Sequence, residues 1–281
     1  MRMVSRKNKD RVARWLSLAI TVLAIIPLLW IICSVVVNGI SAINLEFITG
    51  VPAPYGESGG GIANAIFGTL IINAMASIFG IPVGILTGMY LSEYATKGKF
   101  SSAIRTSVES FSGVPSIIFG IFAFTIIVTN VRHYTALAAA FALGIMMIPI
   151  VAKATEESMR VVSDDMREAA IALGVPKWVR TVKIVLGVAR GGVITGSLLA
   201  FARISGETAP LLFTALFSFY WPTGIDQPMA TLQVLIYNFA LSGYQERVLQ
   251  AWGASLLLVM LVVAINIVVK IVTRQKYKEG I

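Results

Sequence analysis

The chain has 281 residues, 57% hydrophobic and 13% charged, with a formal net charge of +9. Long apolar blocks with so few charges describe an integral membrane protein and exclude an ordinary soluble domain. One cysteine (Cys33) and one histidine (His133) exclude an internal disulfide and argue against a Cys/His metal cluster; no Gly-x4-Gly-Lys-Ser/Thr run supplies a P-loop. Any ATP hydrolysis linked to this chain therefore belongs to another subunit.

Residues 1–14 carry Arg2, Arg6, Lys7, Lys9, Arg11 and Arg14 against a single acid, Asp10. Residues 15–37 then contain no charge and are long enough to cross about 30 Å of hydrocarbon. A signal peptide has a shorter apolar core and a small-residue cleavage site, so this block reads as a retained first span. Residues 38–61 hold no Lys or Arg, and the run Gly59-Gly60-Gly61 could be an anion nest or a plain flexible turn. The second span is placed at 62–91, where Gly80, Gly84 and Gly88 allow close helix packing and Pro82 predicts a kink. A basic loop (Lys97, Lys99, Arg105) leads to a third span at 113–129, then a hairpin at 130–133 in which His133 reads as a surface residue. A fourth span follows at 134–152, bent at Pro149.

Residues 153–187 form the longest polar stretch. Asp165 with Glu168 three residues on is a capping-box variant, and Gly174 followed by Pro176 is a stop signal, so a helix of about two turns is expected. Met166, Ala169, Ala170 and Leu173 share one face by helical spacing, and the two alanines would let a partner approach closely. The fifth span is placed at 191–216. The irregular segment 217–250 includes Phe217, Phe219, Tyr220 and Trp221, read as an aromatic belt, and 229–240, too short to cross and suited to an interfacial or re-entrant position. The sixth span is 251–269, followed by a basic tail.

Charge placement tests this six-span pattern. The amino terminus, the loop after span two, the stretch 153–190 and the tail hold 20 of the 23 Lys and Arg residues. By the positive-inside rule both termini and the 153–187 loop are cytoplasmic. The basic excess thus sets topology and favours lipid contact; it does not indicate nucleic acid.

Inside span five, Arg203 and Glu207 lie four residues apart, on one face of a continuous helix. Each charge costs about 3 kcal/mol at mid-bilayer, so both should face the bundle interior or water. Pro210 would strip the helical donor from the carbonyl of Gly206. The pair is either a structural ion pair or a polar station for an anion. Arg offers a planar fork that matches oxyanions and keeps its proton; Glu207 would hold Arg203 while the station is empty and compete with the anion.

Two stretches resemble known families. Glu168-Ala169-Ala170, Gly174, Ile184 and Leu186 resemble the EAA loop of permease subunits of ATP-binding-cassette importers, with Gly187 where that family has Pro. The resemblance implies that Glu168, Ala169, Ala170 and Gly174 belong to a coupling helix seated in a groove of an ATPase subunit. Arg203-Ile204-Ser205-Gly206-Glu207-Thr208-Ala209-Pro210-Leu211-Leu212-Phe213-Thr214-Ala215 is similar to the signature of A-type permease subunits of Pst phosphate importers. Gly59-Gly60-Gly61-Ile62, Leu91-Ser92-Glu93-Tyr94, Ser112-Gly113-Val114-Pro115-Ser116 and Ile236-Tyr237-Asn238 match that family in order.

The resemblance implies an all-α, six-span permease in a prokaryotic cell membrane, with no catalysis and no cofactor or metal of its own. It also implies a C-type permease partner, two ATPase subunits that bind ATP and Mg, and an extracytoplasmic phosphate-binding protein. Inorganic phosphate would pass Arg203 and Glu207. The residues alone leave open a permease for another anion, an ion-coupled secondary carrier using Arg203 and Glu207 as a proton relay, and a membrane scaffold.

Overall fold

A computed structural model describes residues 2–54, 56, 57, 59–95 and 98–278; Lys97, counted above among the basic loop residues, lies outside them. In chain order the helices are α1 (Arg2–Gly39), α2 (Leu45–Thr49), α3 (Ala63–Met89), α4 (Lys99–Gly113), α5 (Ser116–Ala123), α6 (Thr129–Val131) and α7 (Ala136–Arg160). They continue as α8 (Asp164–Ala172), α9 (Lys177–Val179), α10 (Leu186–Ile204), α11 (Ala209–Thr214), α12 (Leu232–Ala240) and α13 (Gln245–Lys278). π-helical turns extend α3 (Tyr90–Tyr94), join α5 to α6 (Phe124–Val128) and join α9 to α10 (Arg180–Val185). Among the described residues the one β pairing is an isolated bridge between Pro52 and Gly60, so the fold is all-α.

Among the described residues five stretches are long and apolar enough to cross a membrane: Asn8–Ala42, Ala63–Tyr94, Ala136–Arg160, Lys177–Ile204 and Gln245–Val268. Lys99–Gly113 and Ser116–Val131, bent by 106° where they meet, are long and apolar enough only together and count as a sixth when taken as one broken span. The break falls at Val114 and Pro115, and Lys99–Gly113 is a helix where the charges lead one to expect a loop. Phe100, Ile104, Val108 and Phe111 recur at helical spacing on α4, with Val108 buried and Ile104 half-buried against Leu91 and Ala152. Arg105 on α4 pairs with Glu156 on α7 at 2.8 Å.

The centre of the bundle is the α3–α7 pair. A Cβ added at Gly80, Gly84 or Gly88 would stand 2.7 Å from the Gly144 carbonyl, 2.6 Å from Val151 Cβ and 2.5 Å from the Ala152 carbonyl. Lipid supplies no hydrophobic drive between helices, so this backbone-to-backbone approach through small residues is what holds the two spans together. Pro82 and Pro149 lie inside the uninterrupted helices α3 and α7. Ile72, Ala76, Leu143, Met147, Ala200 and Ile204 fill the space where α10 joins the pair. α7 starts cleanly because Thr135 Oγ1 accepts from the Ala138 N–H at 2.9 Å.

Residues 229–235 are more buried than an interfacial position allows, which leaves the re-entrant alternative. Met229, Ala230, Leu232, Val234, Leu235 and Phe239 are all buried, so α12 and its approach are packed inside the bundle. Gly68 is what admits it: a Cβ there would lie 2.0 Å from the Ala230 carbonyl. The aromatic group divides. Phe217 turns inward onto Phe219 and Phe239, with centroids 4.9 and 5.9 Å away, while Tyr220 and Trp221 stay exposed.

The glycine run is a turn occupied from within. Gly59 and Gly60 have φ of +91 and +77, in the left-handed region that favours glycine. The Gly60 N–H donates to the Glu46 carboxylate at 3.0 Å and the Gly61 N–H to the Val51 carbonyl at 2.9 Å. Those amides are already bonded within the chain, which removes the anion-nest alternative there.

Candidate functional site

The fifth span is broken where a continuous helix was expected. α10 ends at Ile204, residues 205–208 are non-helical, and α11 restarts with Pro210 in its first turn. Proline suits that position, since the first-turn N–H groups have no helical partner. Pro210 is therefore a helix starter, and it does not disrupt the interior of a longer helix. Arg203 occupies the last turn of α10 and Glu207 lies beyond it, so the two side chains meet through the bend rather than along one helical face. Arg203 Nε lies 3.9 Å from Glu207 Oε1, with the side chains 56% and 20% exposed. No hydrogen bond to the Arg203 guanidinium is found among the described residues.

Three side chains that the sequence reading passed over hold this corner. Asn73 of α3 donates to Ser205 Oγ at 3.0 Å, and Ser205 Oγ donates to the Phe201 carbonyl at 2.8 Å. Gln233 Nε2 of α12 donates to the Ser205 carbonyl. Asn73, Ser205 and Gln233 are all buried, and Gln233 Oε1 has no partner among the described residues. Asn73 lies about 15 Å along α3 from its start, so the break sits well inside the bundle. From there α11 reaches the far end: the Thr214 carbonyl accepts from the N–H of Thr135, the N-cap of α7, at 2.9 Å. Irregular backbone at membrane depth is tolerated where protein buries it or it lines a cavity, and half-helix ends at such breaks are common ion-binding geometry.

The 153–187 stretch is also more ordered than a loop. α7 continues through Arg160, and the chain is helical again from Lys177. Between them α8 begins at N-cap Ser163 without a side-chain capping bond, so the Asp165–Glu168 capping box is not formed. Its C-terminus matches the stop signal. Gly174 has φ of +68, its N–H donates to the Ile171 carbonyl at 2.9 Å, and the Val175 N–H donates to the Ala170 carbonyl at 3.0 Å. That pair of bonds is a Schellman closure, which only a residue at ease in the left-handed region permits without strain.

The expected docking face is split. Ala170 is 4% exposed and turned into the protein, while Glu168, Ala169, Met166 and Leu173 are exposed. Ile171 and Trp178 add apolar surface beside them. Arg167, not singled out from the sequence, fastens α8 to the bundle: its guanidinium bonds Glu93, Asp164 and the carbonyls of Met159 and Val162. Glu93 lies 74 residues away, and nothing local in either segment announces the pair.

At the end of the bundle opposite α8, His133 joins the third span to the segment before α12. Nδ1 lies 2.8 Å from the Val131 carbonyl and Nε2 3.0 Å from the Asp226 carbonyl. These carbonyls, Val131 first, raise the imidazole above its ordinary pKa of 6.5, because both stabilise the doubly protonated ring. Among the described residues no group of three or more His, Cys, Asp and Glu side chains converges on a metal position.

Residues 80–275 match the family described as binding-protein-dependent transport system inner membrane component. The phosphate transport system permease protein PstA of Yersinia pestis is 39% identical over 271 residues, covering 96% of this chain and 92% of that protein. PstA of Pasteurella multocida is 39% identical, covering 97% of each, and PstA 1 of Mycobacterium tuberculosis H37Rv is 36% identical, covering 93% and 86%. Among solved structures, a chain of a bacterial alginate ABC transporter in complex with its alginate pentasaccharide-bound periplasmic protein superposes with a TM-score of 0.69 at 17% identity. That match covers 97% of this chain and 99% of that one. A chain of the inward-facing MetNI methionine ABC transporter gives 0.62 at 19% identity, covering 76% and 95%. These structures share the fold. The chain belongs to the family of binding-protein-dependent transport system inner membrane components, and within it stands with the PstA permeases.

Proposed function

We propose that this chain is the transmembrane permease subunit of an ATP-driven importer that carries inorganic phosphate into the cytoplasm by alternating access. The observation that carries the reading is Arg203, at the end of a half-helix inside the bundle with no hydrogen-bonded partner there, in a chain 39% identical to PstA proteins. Arg203 supplies the fixed positive charge and planar fork for the oxyanion, and Glu207 is the internal carboxylate that competes with it. A loosely paired arginine suits transit, which needs binding weak enough to release.

Both termini and α8 face the cytoplasm. Glu168, Ala169, Ala170 and Gly174 form the coupling helix: the exposed residues meet the ATPase, Ala170 seats the helix, and Gly174 closes it. The partners are a C-type permease, two ATPase subunits holding ATP and Mg, and an extracytoplasmic phosphate-binding protein. α1 offers a surface for the permease partner, since its apolar length is almost wholly exposed, whereas most of that of α7 is buried within the chain. The chain performs no chemistry, and the state change is driven by differential contacts of the ATPase with inward- and outward-facing forms.

The decisive measurement is ATP-dependent uptake of radiolabelled phosphate into vesicles carrying this chain with its partners, with sulfate as competitor. Uptake that excess sulfate leaves intact supports the assignment. Competition by sulfate would make this a permease for a wider class of oxyanions. Uptake that persists without ATP and follows a proton gradient would overturn the importer reading.

A further inference from the structure

Arg167 has five N–H donors, and all five are used inside the chain. Nε and Nη2 donate to Glu93 Oε1 at 3.1 and 3.0 Å, and Nη2 also donates to the Met159 carbonyl at 2.8 Å. Nη1 donates to the Val162 carbonyl and, at 3.2 Å, to Asp164. A guanidinium so saturated has nothing left for a partner subunit. It ties the first turn of α8 to two other elements, the end of α7 and the π-helical turn that closes α3. The Arg167 side chain is 18% exposed and that of Glu93 5%, so water does little to weaken the bond.

What α8 is tied to is stiff. α3 and α7 touch backbone to backbone along Gly80, Gly84 and Gly88, and well-packed contacts of this kind shift as a unit. Twenty residues before Glu93, about 30 Å along the same helix, α3 carries Asn73, whose amide holds Ser205 two residues from Arg203. One helix thus has the docking helix fastened at one end and the charged corner held about 30 Å away, at mid-bundle.

We propose that Arg167 and Glu93 form a strut through which displacement of α8 moves α3 as a rod, and that Asn73 delivers that movement to the Ser205 corner beside Arg203. Glu93 and Asn73 are positioning residues for transport. The competing route is the stretch Lys177–Ile204, whose last turn carries Arg203. It follows α8 through 173–176, a turn built on Gly174 and Pro176, and touches it again at Arg180–Val185, but no side-chain hydrogen bond joins the two among the described residues. The proposal rests on reading α8 as the ATPase-docking helix and Arg203 as part of the path.

The test uses the complete importer in proteoliposomes and reads phosphate taken in per ATP hydrolysed. Uptake by the unaltered complex is measured first; if there is none, the transport reading fails and not the strut. Glu93→Ala should retain the ATPase subunits and their basal hydrolysis, while uptake per ATP falls about tenfold, within the range reported for coupling changes. Asn73→Ala should lower the ratio likewise, and the double variant should be no worse than either single one, because both interrupt one rod. An unchanged ratio in Glu93→Ala, or losses that multiply in the double variant, would overturn the proposal.

Where the alanine variant does not assemble, Glu93→Cys with Arg167→Cys in a Cys33→Ser chain decides. The ratio should be low with free thiols and rise when a bifunctional thiol reagent bridges them. No difference between the two states would overturn the strut. A merely structural role would change yield or assembly and leave the ratio of the assembled complex intact.

Discussion

Two arginine–glutamate pairs in this chain have opposite designs. Arg167 and Glu93 come from distant segments, are largely buried, and satisfy every guanidinium donor. Arg203 and Glu207 are four residues apart, stand 3.9 Å from each other, and leave the arginine side chain 56% exposed. A saturated arginine would have to break existing bonds to take a ligand; a loosely paired one takes it by exchanging a weak neighbour. Residue type is the same in both, so the difference lies in how many donors the fold leaves open.

The largest effect that would break this contrast is at Arg203. Arg203→Gln keeps a polar side chain but removes the fixed charge, and phosphate uptake should drop by about two orders of magnitude, the upper part of the 1.5–3 kcal/mol of one charge-assisted bond. Co-purification of the ATPase should be unaffected, because Arg203 anchors no neighbouring helix. Normal uptake by an assembled Arg203→Gln complex would show that the exposed pair is merely structural. Glu207→Gln sharpens the same contrast with a smaller change. Without the competing carboxylate, phosphate should bind the permease more tightly and leave more slowly, lowering both the half-saturating concentration and the maximal rate by several-fold. A rise in half-saturation would mean that Glu207 helps bind phosphate.

Gln233 tests whether the open pair needs its buried frame. Its amide caps the Ser205 carbonyl at the end of α10, and Gln233→Ala would leave that buried acceptor unsatisfied at a cost of about 1–3 kcal/mol. A lower unfolding temperature and a modest loss of uptake are expected, smaller than at Arg203. Unchanged thermal stability would mean that Asn73 and the Phe201 carbonyl hold the corner without Gln233.

The elements legible in the sequence are those with local causes. Charge-free blocks and the distribution of 20 of 23 basic residues pointed to six spans, and Gly174 with Pro176 marked the end of α8. Arg203 and Glu207 stood out because charges are costly in lipid. The break between them did not, since Gly206 and Pro210 are equally compatible with a kinked helix. What fixes the break is tertiary: Asn73 arrives from α3 and Gln233 from α12 to satisfy Ser205. The α4 helix has a readable apolar stripe, Phe100, Ile104, Val108 and Phe111, but its charges fit a solvated loop equally well. Glu93 and Arg167 carry no sequence signal of each other, because an ion pair across 74 residues is specified by packing alone.

His133 repeats the Arg167 arrangement with a group that can lose its proton, and it gives the smallest effect. Its two ring nitrogens face two carbonyls, Val131 and Asp226, which only accept; a neutral imidazole has one N–H and can satisfy one of them. Asp226 Oδ1, 3.5 Å from Nε2, is the carboxylate on the same side, and Arg132 is the neighbouring cation in the chain. Because the folded pKa is raised above 6.5, the stability that His133 contributes is complete below the unfolded value and is lost as pH rises through the folded one. The segment it holds also accepts the N–H groups of Ala136 and Leu137 through the Gln227 and Ile225 carbonyls. Exchange of those two amides, corrected for intrinsic rate, should therefore accelerate as pH climbs past 6.5 in the unaltered chain. In His133→Gln it should follow the intrinsic rate alone, since a carboxamide does not titrate in this range. Equal pH dependence in the two chains would show that the backbone bonds hold this end of the bundle without the imidazolium.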